Sequence, residues 1–194
     1  MERPFDIAVI GGGVVGLAIL RRFALAGLRC VLLERGADIL SGASKGNSAL
    51  LHTGFDAPPG SLELSCMQAG HAEYLAIRER LNLPLVESSA LVVAWSAEER
   101  DKLPGIVAKA HGNGVHDVRP VTRDELRRLE PHLAAGALEA VLVPGEHIID
   151  AWSAPLAYAQ QALAHGAQIR RRAEVADGTL AAGLWRLSTP QGPV

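Results

Sequence analysis

The strongest constraint in this chain lies in its first 34 residues. An apolar stretch, Phe5-Asp6-Ile7-Ala8-Val9-Ile10, runs directly into Gly11-Gly12-Gly13-Val14-Val15-Gly16. A helix-compatible segment follows to Ala26, Gly27 stops it, and Arg29-Cys30-Val31-Leu32-Leu33 leads to an acid at Glu34. Each part has a mechanical job. Gly11 suits a tight turn out of a strand, Gly13 lets backbone approach a phosphate group, and Gly16 lets the helix pack closely on the sheet. A helix beginning there offers unpaired N–H groups and about half a positive charge to an anion. Glu34, at the end of the second strand, is placed to accept hydrogen bonds from a ribose. Three glycines alone are often only a turn. Strand, glycines, helix, strand and acid in this order predict a βαβ unit that binds a dinucleotide.

Bulk composition narrows the remaining classes. The chain has 194 residues, 48% of them hydrophobic and 4% aromatic, so a core must be built from Ala, Leu, Val and Ile. Such a composition fits an ordinary α/β protein and argues against disorder. A formal net charge of −2 gives no long-range attraction to nucleic acid. Arg170-Arg171-Arg172 is the single basic run and reads as a solvated strand edge. Cys30 and Cys66 make no CxxC pair and no disulfide framework, which fits a reducing, cytoplasmic setting. No apolar run approaches the ~20 residues that span a bilayer, which leaves peripheral membrane contact open. The seven histidines show no HxxxH or HExxH spacing, so no metal is expected. No GxSxG elbow is present either.

Downstream, a Gly/Ser-rich loop from Gly36 to Ser48 precedes Ala49–Asp56 and a turn at Pro58-Pro59-Gly60. Ser61 caps an expected helix running to about Leu81. Pro84–Trp95 reads as strand. Ser96 with Glu99 and Thr122 with Glu125 have capping-box spacing, and Pro104 is expected to kink or split the helix after Ser96. Leu138–Val143 and His147–Ile149 read as strands around Pro144-Gly145, Trp152–His165 as a helix, and Gln168–Val175 as a strand. Leu184–Thr189 is a last strand. Three segments are expected: 1–81, a first dinucleotide-binding segment; 82–151, part of an inserted substrate domain; and 152–194, a return to the first sheet.

Two motifs together resemble a known family. Gly11 to Gly16 with Glu34-Arg35, then Ser41-Gly42-Ala43-Ser44-Lys45-Gly46-Asn47-Ser48 and His52-Thr53-Gly54-Phe55-Asp56, are similar to the FAD-dependent D-amino-acid oxidase superfamily. The branches most resembled are the glycerol-3-phosphate dehydrogenase-like and L-2-hydroxyglutarate dehydrogenase-like ones, including the Pro59-Gly60-Ser61-Leu62 turn. The resemblance implies a Rossmann-like α/β FAD-binding domain with a parallel sheet and crossover helices. An antiparallel α+β substrate domain interrupts it.

It implies FAD as cofactor and removal of a hydride from a small CH–OH substrate such as glycerol-3-phosphate or a 2-hydroxy acid. A quinone, another carrier or oxygen would take the electrons. Gly11, Gly13, Val14, Val15 and Gly16 would hold the pyrophosphate, and Glu34 the ribose with Arg35 beside it. Gly42, Ala43, Ser44, Asn47 and Ser48 would line the ribityl chain and ring, Val175 would present its backbone to adenine, and His52 would face the flavin as the catalytic candidate. Noncovalent flavin is expected.

Departures from the pattern are His147, where a glycine is common, and Glu63 and Glu73 in a helix where basic residues are more usual. Rival readings are an amine or amino-acid oxidase of the same superfamily, an NAD-dependent dehydrogenase, and a nucleotide-binding module without catalysis. Ala181-Ala182-Gly183-Leu184-Trp185 looks like a later family motif but reads as a hairpin, because no asparagine and no apolar strand precede it. Relatives are roughly twice as long, so the chain is expected to be an N-terminal fragment. Its first strand would then lack a neighbour, and its 194 residues alone would lack turnover.

Overall fold

The structure is a computed structural model and describes residues 3–194. Along the chain the elements are β1 (Ile7–Ile10), α1 (Val14–Leu25), β2 (Cys30–Leu33), a 3-10 turn at Ala43–Lys45, and β3 (Leu50–Leu51). Then come α2 (Leu62–Ile77), β4 (Leu85–Val86), β5 (Ala90–Ala94), α3 (Ala97–Arg100), α4 (Leu103–Gly112), β6 (Arg119–Val121) and α5 (Arg123–Leu129). The rest are β7 (Glu139–Val143), β8 (His147–Ile149), α6 (Ser153–Ala164), β9 (Gln168–Arg170), β10 (Asp177–Ala181) and β11 (Leu184–Ser188). They form two compact units. One comprises the described residues up to Ser48 together with Ala151–Val194, and the other is Ala49–Asp150. The stretch from Ala49 to Leu81, grouped by sequence with the dinucleotide-binding segment, belongs to the second unit.

In the first unit β1, β2 and β9 make a parallel sheet in that order, with Ile7 opposite Cys30 and Val31 opposite Gln168. The alternation of β2 builds a core on each face. Cys30 and Leu32 join Val9, Leu17, Leu20 and Ala24 of the β1–α1 segment and Ala159 and Ala162 of α6. Val31 and Leu33 join Ala173 and Leu187 on the other cluster. All four β2 residues are buried, whereas Ala8 and Ile10 of β1 are exposed. The sequence of β1 reads as a strand covered on both faces. The difference follows from position, because β2 has a neighbour on each side and β1 pairs only with β2 among the described residues.

α1 and α6 pack side by side, and Arg21 donates to Gln161 at 2.6 Å while lying 5.0 Å over the Tyr158 ring. β9 is shorter than Gln168–Val175, because Arg172 has a positive φ of 55° and turns the backbone out of the ladder. The hairpin β10–β11 turns through Ala182 and Gly183, both at positive φ (51° and 79°), the signature of a two-residue type I′ turn.

The second unit holds two antiparallel sheets, β3-β8-β4 and β5-β7-β6. The two strands around Pro144-Gly145 therefore pair into different sheets. Pro84–Trp95 splits into β4 and β5 where Ser89 takes a φ of 56°. Ser61, Ser96 and Thr122 each accept a hydrogen bond from the backbone N–H three residues on, which fixes the starts of α2, α3 and α5. Pro104 stands in the first turn of α4 and separates it from α3. Leu103 and Ala110 of α4 pack on β5 and β7, and Leu126 of α5 joins Val121 and Ala140.

Candidate functional site

The first unit carries an open cavity of about 490 Å³ at the end of its parallel sheet, within the roughly 300–1,000 Å³ of small-molecule sites. Ile10, Gly11, Gly12 and Gly13 line it on one side, and Leu33, Glu34, Arg35 and Gly36 on another. Leu40, Ser41, Gly42, Ala43 and Ser44 continue the wall, and Glu174 and Val175 complete it. It lies outside the carboxyl ends of β1 and β2, where open α/β sheets bind nucleotides.

The cradle is held together by its own residues. A Cβ on Gly16 would stand 2.0 Å from the Gly11 carbonyl oxygen, so no other residue fits between helix and loop. α1 starts from Gly13 with no side-chain cap and no acid in its first turn. Val14 N–H donates to Ser44 Oγ at 3.0 Å, which ties the loop of the second motif to the helix start. Glu34 clamps the cradle from β2: Gly12 N–H donates to Oε2 and Gly36 N–H to Oε1, each at 2.6 Å. Leu40 N–H donates to the Gly12 carbonyl at 2.9 Å. Each Glu34 oxygen keeps a second acceptor position for a hydroxyl.

Of the residues singled out from sequence, Gly11, Gly13, Glu34, Arg35, Gly42, Ala43, Ser44 and Val175 line this one cavity. Val14, Val15 and Gly16 form the first turn of the helix that opens at it. Asn47 supports the loop, its side-chain amide donating to the Ser44 carbonyl at 3.2 Å, and Ser48 is exposed. His52 belongs to the second unit, where Nδ1 lies 2.9 Å from Glu146 Oε2. Glu146 is 2% exposed and also accepts from Thr53 N–H (2.7 Å) and Thr53 Oγ1 (2.8 Å). Asn113, likewise buried, donates to the Gly54 and Ala57 carbonyls at 2.9 Å each and pins the segment after His52.

Neither Glu146 nor Asn113 stands out in the sequence. One sits in a turn and the other at a helix end, and only tertiary pairing reveals their partners. Among the described residues no group of three His, Cys, Asp or Glu is arranged to hold a metal ion, and no helix is long and apolar enough to cross a membrane.

The β1–glycine–α1 cradle, the acid closing β2 and the parallel order β1-β2-β9 define a dinucleotide-binding α/β protein. The chain belongs to the DAO family of FAD-dependent oxidoreductases, whose model it matches over residues 6–194. It is 28% identical over 173 residues to a glycerol 3-phosphate dehydrogenase of Caloramator mitchellensis, covering 89% of this chain and 36% of that protein. It is 30% identical over 167 residues to an L-2-hydroxyglutarate dehydrogenase of Indibacter alkaliphilus, covering 85% of this chain and 41% of the relative. The glycine oxidase structure from Geobacillus kaustophilus superimposes with a TM-score of 0.89 at 28% identity, over 97% of this chain and 52% of that one. The chain thus spans about 36–41% of the length of these two curated relatives.

The cofactor of the family is FAD, and the cradle fits it. The gap kept by Gly16, the acid-free first turn of α1 and the spare acceptor positions of Glu34 match a diphosphate followed by a ribose.

Proposed function

We propose that the protein oxidises a small CH–OH substrate, glycerol-3-phosphate or a 2-hydroxy acid, with FAD. The observation carrying this reading is the Glu34-clamped glycine cradle, in a chain whose curated matches include dehydrogenases of both substrates. FAD, when bound, supplies the two-electron hydride acceptor. In this proposal the N–H groups opening α1 hold the pyrophosphate, Glu34 accepts from the ribose with Arg35 beside it, and Val175 offers its backbone to adenine. Gly42, Ala43, Ser44, Asn47 and Ser48 line the remainder of the cofactor. His52 manages the proton of the substrate hydroxyl. A quinone, a protein carrier or oxygen receives the electrons.

A second reading, oxidation of an amine or amino acid, is favoured by the likeness to glycine oxidase. The test is a titration of the chain with FAD, followed anaerobically by glycerol-3-phosphate, L-2-hydroxyglutarate and glycine. Saturable flavin binding is the expected result for the 194-residue chain, and bleaching by either hydroxy compound selects the CH–OH reading. Bleaching by glycine alone selects the amine reading, and absence of FAD binding overturns both.

A further inference from the structure

The sequence marks His52 and gives it no partner, yet the second unit builds a partner for it. Glu146 is the most buried acidic or basic side chain among the described residues, at 2% exposure. A buried carboxylate costs several kcal/mol unless donors surround it. Glu146 has three. Thr53 N–H and Thr53 Oγ1 converge on Oε1 at 2.7 and 2.8 Å, and His52 Nδ1 meets Oε2 at 2.9 Å. The Thr53 hydroxyl donates to Oε1 while its oxygen accepts from Phe55 N–H at 3.3 Å. Gly145 makes the approach possible: a Cβ there would meet Thr53 Cγ2 at 2.8 Å. On the far side of the ring, Nε2 has no partner among the described residues, on a side chain that is 39% exposed. His71 is engaged through Nε2 with the Gly145 carbonyl at 3.0 Å.

From this geometry we infer that Glu146 is a positioning residue that locks His52 in the Nδ1–H tautomer, leaving Nε2 as an outward-facing proton acceptor. An ionised carboxylate has no proton to give, so Nδ1 must carry the hydrogen of the shared bond. The neutral ring then presents the Nε2 lone pair to solvent or ligand. When Nε2 takes a proton from a hydroxyl, the O–H bond breaks, the N–H bond forms, and the imidazolium charge rests against the Glu146 carboxylate. The role in substrate oxidation rests on the proposed function of His52. The tautomer itself does not.

The partner set makes a specific prediction for Glu146→Gln. Both Thr53 donors demand an acceptor at the Oε1 position, so the amide oxygen must take that place. Its NH2 group is thereby turned toward His52 and donates to Nδ1. Nδ1 becomes the acceptor, and the proton moves to Nε2. One substitution of nearly equal shape inverts the ring.

The experiment is long-range 15N–1H NMR of the histidine rings in the 194-residue chain near pH 7.5, with His52→Gln identifying the His52 signals. In the wild type Nδ1 is expected at the protonated, pyrrole-like 15N shift and Nε2 at the unprotonated, pyridine-like shift. Glu146→Gln is expected to exchange the two. An Nε2–H ring, or averaged shifts from two exchanging tautomers, in the wild type overturns the inference without any variant. If Glu146→Gln does not fold, the wild-type spectrum with Thr53→Val decides, since the backbone donor of Thr53 remains and the ring must stay Nδ1–H. An unchanged tautomer in folded Glu146→Gln also overturns the inference. FAD titration of the same samples separates the two ideas: lost flavin binding with the expected tautomer counts against the proposed function alone.

Discussion

Glu34 clamps the cradle and, in the proposed function, also holds the ribose. Its oxygens accept Gly12 and Gly36 N–H at 2.6 Å each and still face the cavity. Glu34→Ala is therefore expected to weaken FAD binding at least tenfold, because a charged hydrogen bond is worth ~1.5–3 kcal/mol. Glu34→Gln is no mild control here. Its NH2 must oppose one of the two N–H donors, which leaves a donor facing a donor and costs ~1–3 kcal/mol of stability. Fluorescence titration with FAD and urea denaturation read the two effects separately; an unchanged dissociation constant in Glu34→Ala removes Glu34 from the site.

Cys30 begins the buried strand that leads to Glu34. Burial first, and then the charge of Asp6, pushes its thiol above the ordinary cysteine value. Below about pH 8.5 the thiol is neutral whether folded or unfolded and contributes nothing. Above it, the unfolded chain loses a proton that the native chain keeps, so stability falls as pH rises. Cys30→Ala should flatten that fall. A disulfide reagent should label the exposed Cys66 quickly and Cys30 only on unfolding.

At the scale of elements, the hairpin β10–β11 offers the clearest lever. Ala182 occupies the left-handed region at φ 51°, which a Cβ disfavours by ~1 kcal/mol, while Gly183 beside it is free of that penalty. Ala182→Asn makes the Asn-Gly pair that type I′ turns prefer and is expected to add ~0.5–1 kcal/mol, measured as a shift of the urea midpoint without a change in slope.

The same elements show what was legible in the sequence. β1, α1, β2 and the caps at Ser61, Ser96 and Thr122 are local signals: a hydrophobic run, a glycine spacing, a hydroxyl three residues before an N–H. The cavity was legible for the same reason, since Gly11, Gly13, Glu34 and Ser44 lie within one βαβ unit and its exit loop. Legibility stopped where pairing is long-range. Nothing near Pro144-Gly145 tells that β7 turns to β5 and β6 while β8 turns to β3 and β4. Nothing near His52 tells that its partner lies 94 residues away at Glu146. The early end of β9 at Arg172, where backbone geometry overrides an apolar alternation, belongs with these.

At the scale of the whole molecule, the nucleotide-binding unit is built from both ends of the chain. β1, α1 and β2 come from the segment up to Ser48, while α6, β9, Val175 and the hairpin return after Ala151. Glu34 N–H donates to the Arg170 carbonyl and Ala173 N–H to the Glu34 carbonyl, each at 2.9 Å, so the acid of the cradle is itself seated by the returning strand. A ligand gripping Gly11–Gly16, Glu34 and Val175 must therefore stabilise the two sequence segments together. A ligand that binds only the folded state stabilises it by ~2.7 kcal/mol at one hundred times its dissociation constant. Under that load, amides of β1, β2 and β9 that exchange by opening of the whole unit should slow about a hundredfold in parallel. Hydrogen exchange read by mass spectrometry, with and without FAD, measures this directly. Protection confined to residues before Ser48, with β9 unchanged, would show that the returning segment has no part in holding the cofactor, and would strike Val175 from the site.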